Sequence, residues 1–193
     1  MNTFVNTLSQ RDFEKIISAI LYVVKKLGND RFVDHHSIFK ALYLADKKRL
    51  GAWGTPIFNE QYIKMEWGPV PSTARDIFKK GAAKQTAARY KDLPLTEVFD
   101  FHGESEVGAR IDFDGRYFAK VDVECLDQAI QEIKAMGVGR KGFIERTNIT
   151  HDSAWEAAEL NRQISRRDIL IASGNTESLQ AFDDHQELEE MIR

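Results

Sequence analysis

Apolar residues recur at helical spacing from the start of the chain: Phe13, Ile16, Ile17, Ile20, Leu21, Val24 and Leu27. Steps of three and four predict an amphipathic helix. Tyr22 and Val23 widen its stripe enough to place it at the centre of a core. Ser9 stands as its N-cap, Asp12 occupies the capping-box position three residues on, and Gly28 closes it. A polar turn, Gly28-Asn29-Asp30-Arg31, leads to a second helix with Asp34 as cap. The buried face of that helix is Ile38, Phe39, Leu42, Tyr43 and Leu50, and Asp46 lies on the same stripe.

After the exit loop, where Gly51 and Gly54 bracket Trp53, residues 57–67 read as extended, with Tyr62, Ile63, Met65 and Trp67 supplying bulk. Pro69 and Pro71 exclude a regular central strand and predict a rigid corner. That corner opens a third helix over 72–80, buried through Ala74, Ile77 and Phe78. Residues 81–91, rich in alanine but without an apolar stripe, read as a mobile connection. Short strands follow at 98–101, 109–113 and 116–120, with Asp114-Gly115 as a hairpin turn and 102–108 as a polar loop. Helices resume at Asp122, whose helix carries Val123, Leu126, Ala129, Ile130, Ile133 and Met136 before Gly137. A short helix at 139–147 holds Phe143 and Ile144, another starts near Thr150 and holds Trp155, and Ser165 begins a segment with Ile169, Leu170 and Ile171. Residues 175–193 form a charged terminal helix. The fold class is mainly α: a single helical domain with a small antiparallel β-sheet or hairpin, α+β by strict count.

Composition supports an ordinary folded core, with 42% hydrophobic and 30% charged residues. The net charge of -3 provides no general basic excess for phosphate backbones. Cys125 is the only cysteine, so no intrachain disulfide forms, and a reducing cytoplasm is the expected compartment. The N-terminus has no basic start followed by an apolar core, and the apolar run 16–24 is too short to span a bilayer.

Candidate chemistry is sparse. Asp46 on an apolar stripe must be paired, hydrogen-bonded or at the stripe's edge. A structural role is favoured, with backbone N–H groups of the following Gly/Pro loop or a basic side chain as its partners, and a catalytic role or metal ligation as alternatives. His35 and His36 are adjacent and point about 100° apart on a helix, so they do not chelate one metal together. His151-Asp152 would need a third ligand from Asp46 or His35. His151 and Trp155 share a helix face if their segment is helical. Trp53, Phe58, Tyr62, Met65 and Trp67, set beside Pro69, Val70 and Pro71, suit either core or a partly exposed docking surface. Arg140-Lys141 and Arg166-Arg167 are short basic pairs with no helix-turn-helix pattern around them.

These residues resemble a known family. Leu42-Tyr43-Leu44-Ala45-Asp46, then Gly54-Thr55-Pro56-Ile57, then Tyr62, then Trp67-Gly68-Pro69-Val70-Pro71 and finally His151-Asp152-Ser153-Ala154-Trp155 look like the Panacea domain of SocA-like antitoxins. The likeness covers roughly residues 13–158, giving an expected domain over 10–160 and a C-terminal helical extension over 161–193. The polar stretch 102–108 and the tail after Leu160 depart from the pattern. The resemblance implies a mainly helical fold and an antitoxin that neutralises a cognate toxin protein by direct binding. Such proteins are often encoded beside the toxin and on mobile elements or prophages, and one branch delivers its toxin to an AAA+ protease as an adaptor. It implies no catalytic residues; no cofactor or metal is expected, the acidic net charge argues against nucleic acid as main partner, and no membrane partner is expected. Tyr43, Asp46, Gly54, Pro56, Gly68, His151 and Trp155 are then its structural motif. Trp53, Tyr62, Met65, Trp67, Pro69, Val70 and Pro71 are the expected partner-binding residues. Two rival functions stand beside this one: a metal-dependent hydrolase or nuclease using Asp46, His35 and His151, and a DNA-binding autoregulator of its operon.

Overall fold

The computed structural model describes residues 8–28, 32–82, 89–137 and 139–192. It is a single, mainly α domain with three small antiparallel sheets among the described residues. Helix α1 (Gln10–Gly28) begins at Ser9, whose Oγ accepts from the Asp12 backbone N–H at 3.1 Å and donates to its carboxylate at 2.6 Å. Residues 16–24 are all buried, as the wide apolar stripe predicts. Residues 29–31, in the expected polar turn, lie outside the described set.

Helix α2 (His35–Trp53) is capped by Asp34, which accepts from the Ser37 N–H at 2.8 Å and its hydroxyl at 2.6 Å. Residues 40–46 are buried without a break, so this helix is enclosed around its whole circumference rather than along one stripe. Its exit needs a glycine twice over. Gly54 has φ +71, and a Cβ there would lie 2.9 Å from the backbone of Phe182 and Ser178.

The extended segment shortens to β2 (Tyr62–Met65), and the proline corner is itself a strand, β3 (Gly68–Pro71). The two pair antiparallel, with Tyr62 opposite Pro71 and Met65 opposite Gly68 across a turn at Glu66-Trp67. A two-stranded ribbon has no central position, so prolines are accommodated in it. Helix α3 (Ser72–Ala82) follows directly; residues 83–88 of the expected mobile connection lie outside the described set. Glu60, buried, holds the start of α3: its carboxylate accepts from the backbone N–H groups of Gln61, Thr73 and Ala74 and from the Ser72 hydroxyl, at 2.9–3.2 Å. Burial pushes its pKa up.

Two strand assignments are corrected, and the strand expected at 98–101 shifts by one residue. β1 (Val33–Asp34), β6 (Phe99–His102) and β7 (Glu106–Ala109) form a sheet in the order β1-β7-β6. The hairpin turn thus lies within the polar run 102–108, the second strand ends at Ala109, and residues 110–113 and 116–120 are not strands. Asp114-Gly115 opens a 3₁₀ turn (Gly115–Tyr117) instead, because Asp114 turns its carboxylate back to the Arg116 N–H while Ser18 of α1 binds its backbone N–H at 2.7 Å. A further ribbon, β4 (Arg89–Tyr90) with β5 (Leu93–Pro94), precedes the single helical turn α4 (Leu95–Val98).

Helix α5 (Lys120–Met136) starts two residues before Asp122, which therefore sits inside the first turn and accepts from the Ala119 N–H at 3.1 Å. Lys15 of α1 and Arg49 of α2 converge on the same carboxylate at 3.2 and 3.1 Å. Helices α6 (Gly139–Thr150), α7 (Ser153–Ala157), α8 (Arg166–Ala172) and α9 (Leu179–Ile192) complete the fold. Helices α1, α5, α6, α8 and α9 all pack on α2. No helix among the described residues is long and apolar enough to cross a membrane.

Glu60→Ala should strip four donors of their shared acceptor at the head of α3. We expect a loss of about 1–3 kcal/mol, read as a lower urea midpoint; an unchanged midpoint would show that Glu60 does not hold α3.

Candidate functional site

The sequence motifs converge on the β2–β3 ribbon and the helices beneath it. Asp46 is 1% exposed. One carboxylate oxygen accepts from the Ile57 and Phe58 N–H groups at 2.7 and 3.0 Å, and the other accepts from the Tyr62 hydroxyl at 2.8 Å. Of the partners open to it, backbone donors of the loop are those it takes, with one tyrosine added. Burial pushes its pKa up to about 7, against these hydrogen bonds, which favour the charged form. Asp46 thus ties the centre of α2 to the loop that launches β2.

A second carboxylate performs the same task at the other end of the motif. Asp152 caps α7 by accepting from the Ala154 and Trp155 N–H groups, both at 3.1 Å. It also accepts from the Tyr43 hydroxyl at 2.8 Å and the Lys47 ammonium at 2.7 Å. Tyr43 and Tyr62 meet edge to face, ring centroids 5.3 Å apart. The two carboxylates are therefore linked to one stretch of α2 through a pair of contacting tyrosines, and desolvation raises the pKa of both phenols.

The ribbon's tip is held by its carbonyls. Trp155 Nε1 donates to Met65 O at 3.0 Å, and Lys40 Nζ donates to Pro69 O at 3.1 Å. The carbonyls of Glu66 and Trp67 face His151 and His36. His151 stacks flat on Trp155, centroids 3.6 Å apart and planes 5° apart, and its Nε2 is buried without a hydrogen-bond partner among the described residues. Gly68, at φ +98, leaves room for Lys40: a Cβ there would lie 2.6 Å from Nζ and 2.8 Å from Thr150 Oγ1. The outer edge of β2 is covered too. Arg162 O accepts from the Lys64 N–H, Lys64 O from the Asn161 N–H, and Tyr62 O from the Ile164 N–H, at 2.8–2.9 Å.

The expected partner-binding residues separate in space. Tyr62 is 3% exposed and committed to Asp46, and Pro69 and Pro71 are buried in the ribbon. Met65 and Val70 are half-buried. Trp67 at the turn and Trp53 at the end of α2 are 55% and 58% exposed. They are not one cluster: Lys40, which holds the ribbon tip, precedes Trp53 by about 20 Å of helix rise. The rival metal site is not assembled. Asp46 has both oxygens engaged, His35 stacks on Phe78 at 4.1 Å near the start of α2, and His151 lies on Trp155. No group of three or more His, Cys, Asp or Glu among the described residues is placed to hold a metal ion. The basic pairs lie on separate helices, α6 and α8, where Lys141 pairs with Glu145 and Arg167 with Asp183.

Lys40, Glu60 and Arg146 are buried residues that the sequence reading does not single out. Asp152 carried a usable signal, an acid directly before a helix. Lys40 and Glu60 carried none, because the Lys40 partner is 29 residues away and the Glu60 partners beyond the adjacent Gln61 N–H are at least 12 residues away.

Burial pushes the Lys40 pKa down to about 7, from about 10.4 for a free lysine. Between these values the unfolded chain holds a proton that the folded chain lacks, so this group adds stability as pH rises from 7 to 10. Lys40→Met should lose that dependence. Its stability relative to the parent should fall by up to about 1.4 kcal/mol per pH unit over that range, measured by urea unfolding at each pH; parallel curves would place the titration elsewhere.

Residues 38–156 match the family described as antitoxin SocA-like, Panacea domain. The span runs from the first turn of α2 to α7 and contains Asp46, Gly54, the ribbon, His151 and Trp155; α1 and the tail from 157 lie beyond it. No curated protein and no solved structure matches the chain. With well over half of its length covered by this match and the motif residues joined in one bonded framework, the chain belongs to the SocA-like antitoxin family built on the Panacea domain.

Proposed function

We propose that this protein neutralises a cognate toxin protein by direct contact, and that the β2–β3 turn is the centre of its docking face. The observation that carries this reading is Trp67: a large ring more than half exposed on a turn whose neighbouring carbonyls are anchored by buried Lys40 and half-buried Trp155. Exposed aromatic rings on rigid supports bind well because little freedom remains to be lost. Trp67 packs edge-on against Phe143 of α6 at 5.7 Å, and Ile144 beside it is exposed as well. Met65 and Val70 flank the turn in the same ribbon. An interface of about 1,600 Å² anchored by such residues reaches nanomolar affinity. Trp53, at the far end of α2, belongs to a separate surface. Presentation of the bound toxin to an AAA+ protease would place the protease contact away from the turn.

The adjoining gene supplies the test. Co-expression with the toxin it encodes should restore growth, and Trp67→Ala should weaken toxin binding by about tenfold or more while leaving the melting temperature nearly unchanged. Trp53→Ala should bind as the parent does. If Trp67→Ala binds and rescues fully, the docking face is not at the turn; if the adjoining gene product is harmless, the antitoxin reading fails.

A further inference from the structure

Two buried cations lack an acidic partner. Lys40 and Arg146 are 1% and 4% exposed, and neither forms an ion pair among the described residues. A buried charge is costly unless it is paired. Lys40 relieves the cost by giving up its proton more easily, but a guanidinium stays charged. Arg146 donates Nη1 to Gly137 O at 2.6 Å and Nε to His36 Nδ1 at 3.5 Å; its Nη2 has no protein acceptor among the described residues.

Arg146 lines a cleft of about 650 Å³ between the start of α2, the end of α5 and the start of α6. This is the size of a small-molecule site. Lys134 and Arg140 line it too, both exposed and neither in an ion pair among the described residues. Two acids, Asp34 and Glu106, are also in the lining, but Asp34 is committed to capping α2 through Ser37. The N-terminal turn of α6 opens onto the cleft at Gly139, and no acid occupies that turn. Ile133 and Phe143 supply an apolar wall. Cationic side chains, a helix N-terminus and an apolar wall together fit a phosphate carried on an apolar or aromatic body.

We propose that this cleft binds a small organic phosphate, with the phosphate on Arg146, Arg140 and Lys134 at the head of α6 and the organic body against Ile133 and Phe143. The site is independent of the docking reading, although Phe143 also backs Trp67 and would carry occupancy to that ring.

Adenosine monophosphate, inorganic phosphate and adenosine are the probes, titrated calorimetrically into the full chain at low salt with amide chemical shifts followed in parallel. We expect the monophosphate to bind at least about tenfold more tightly than adenosine and to shift amides of the α6 head. Lys134→Glu combined with Arg140→Glu should weaken it by more than about tenfold with an unchanged circular dichroism spectrum, and Arg140→Ala alone should weaken it less. Failure of both phosphates to bind at millimolar concentration would overturn the proposal, as would binding that survives the double charge reversal. Inorganic phosphate binding as tightly as the monophosphate would overturn the apolar half of the site.

Discussion

A short β-ribbon seated on helices creates a polar problem, because strands without a sheet leave backbone donors and acceptors facing an apolar neighbour. Here side chains solve it. Asp46 and Glu60 accept backbone N–H groups on the way into β2 and out of β3, while Trp155 and Lys40 donate to carbonyls at the tip. Each of these groups comes from a different point in the chain. The ribbon's position therefore depends on α2, α3 and α7 being in place together, and the exposed ring of Trp67 inherits that rigidity.

The buried charges divide by sign. The acids Asp46, Glu60 and Asp122 are each surrounded by donors, which is how a carboxylate is held inside a protein. The bases Lys40 and Arg146 meet carbonyls and imidazoles instead. His36 stands near both, and burial, reinforced by those two cations, drives its pKa down to about 4.

Helices were legible in the sequence because their signals are local. Periodic apolar residues fixed α1, and Ser9 and Asp34 marked helix starts by the bonds they make there. Of the site, the Gly-Pro-Val-Pro corner, Asp46 and the His151–Trp155 pair could be read directly. The strands at 109–113 and 116–120 failed because Asp-Gly signals several turn types, and a tertiary contact from Ser18 selected a 3₁₀ turn. The tightness of α2 was hidden because Lys40 reads as a solvent-facing residue until a carbonyl from the ribbon is placed over it. Aromatic residues close in sequence looked like one surface, yet α2 carries Trp53 far from Trp67.

The backbone pairing of residues 161–164 along β2 has a consequence for where this chain can be cut. Segment 161–164 lies beyond the span shared with the family, yet it occupies the outer rim of a strand inside that span. Shortening the chain at residue 160 would bare a row of unbonded amides and carbonyls from Tyr62 to Lys64, an adhesive border that recruits extended segments from other chains. In the intact chain residues 161–164 keep that border paired.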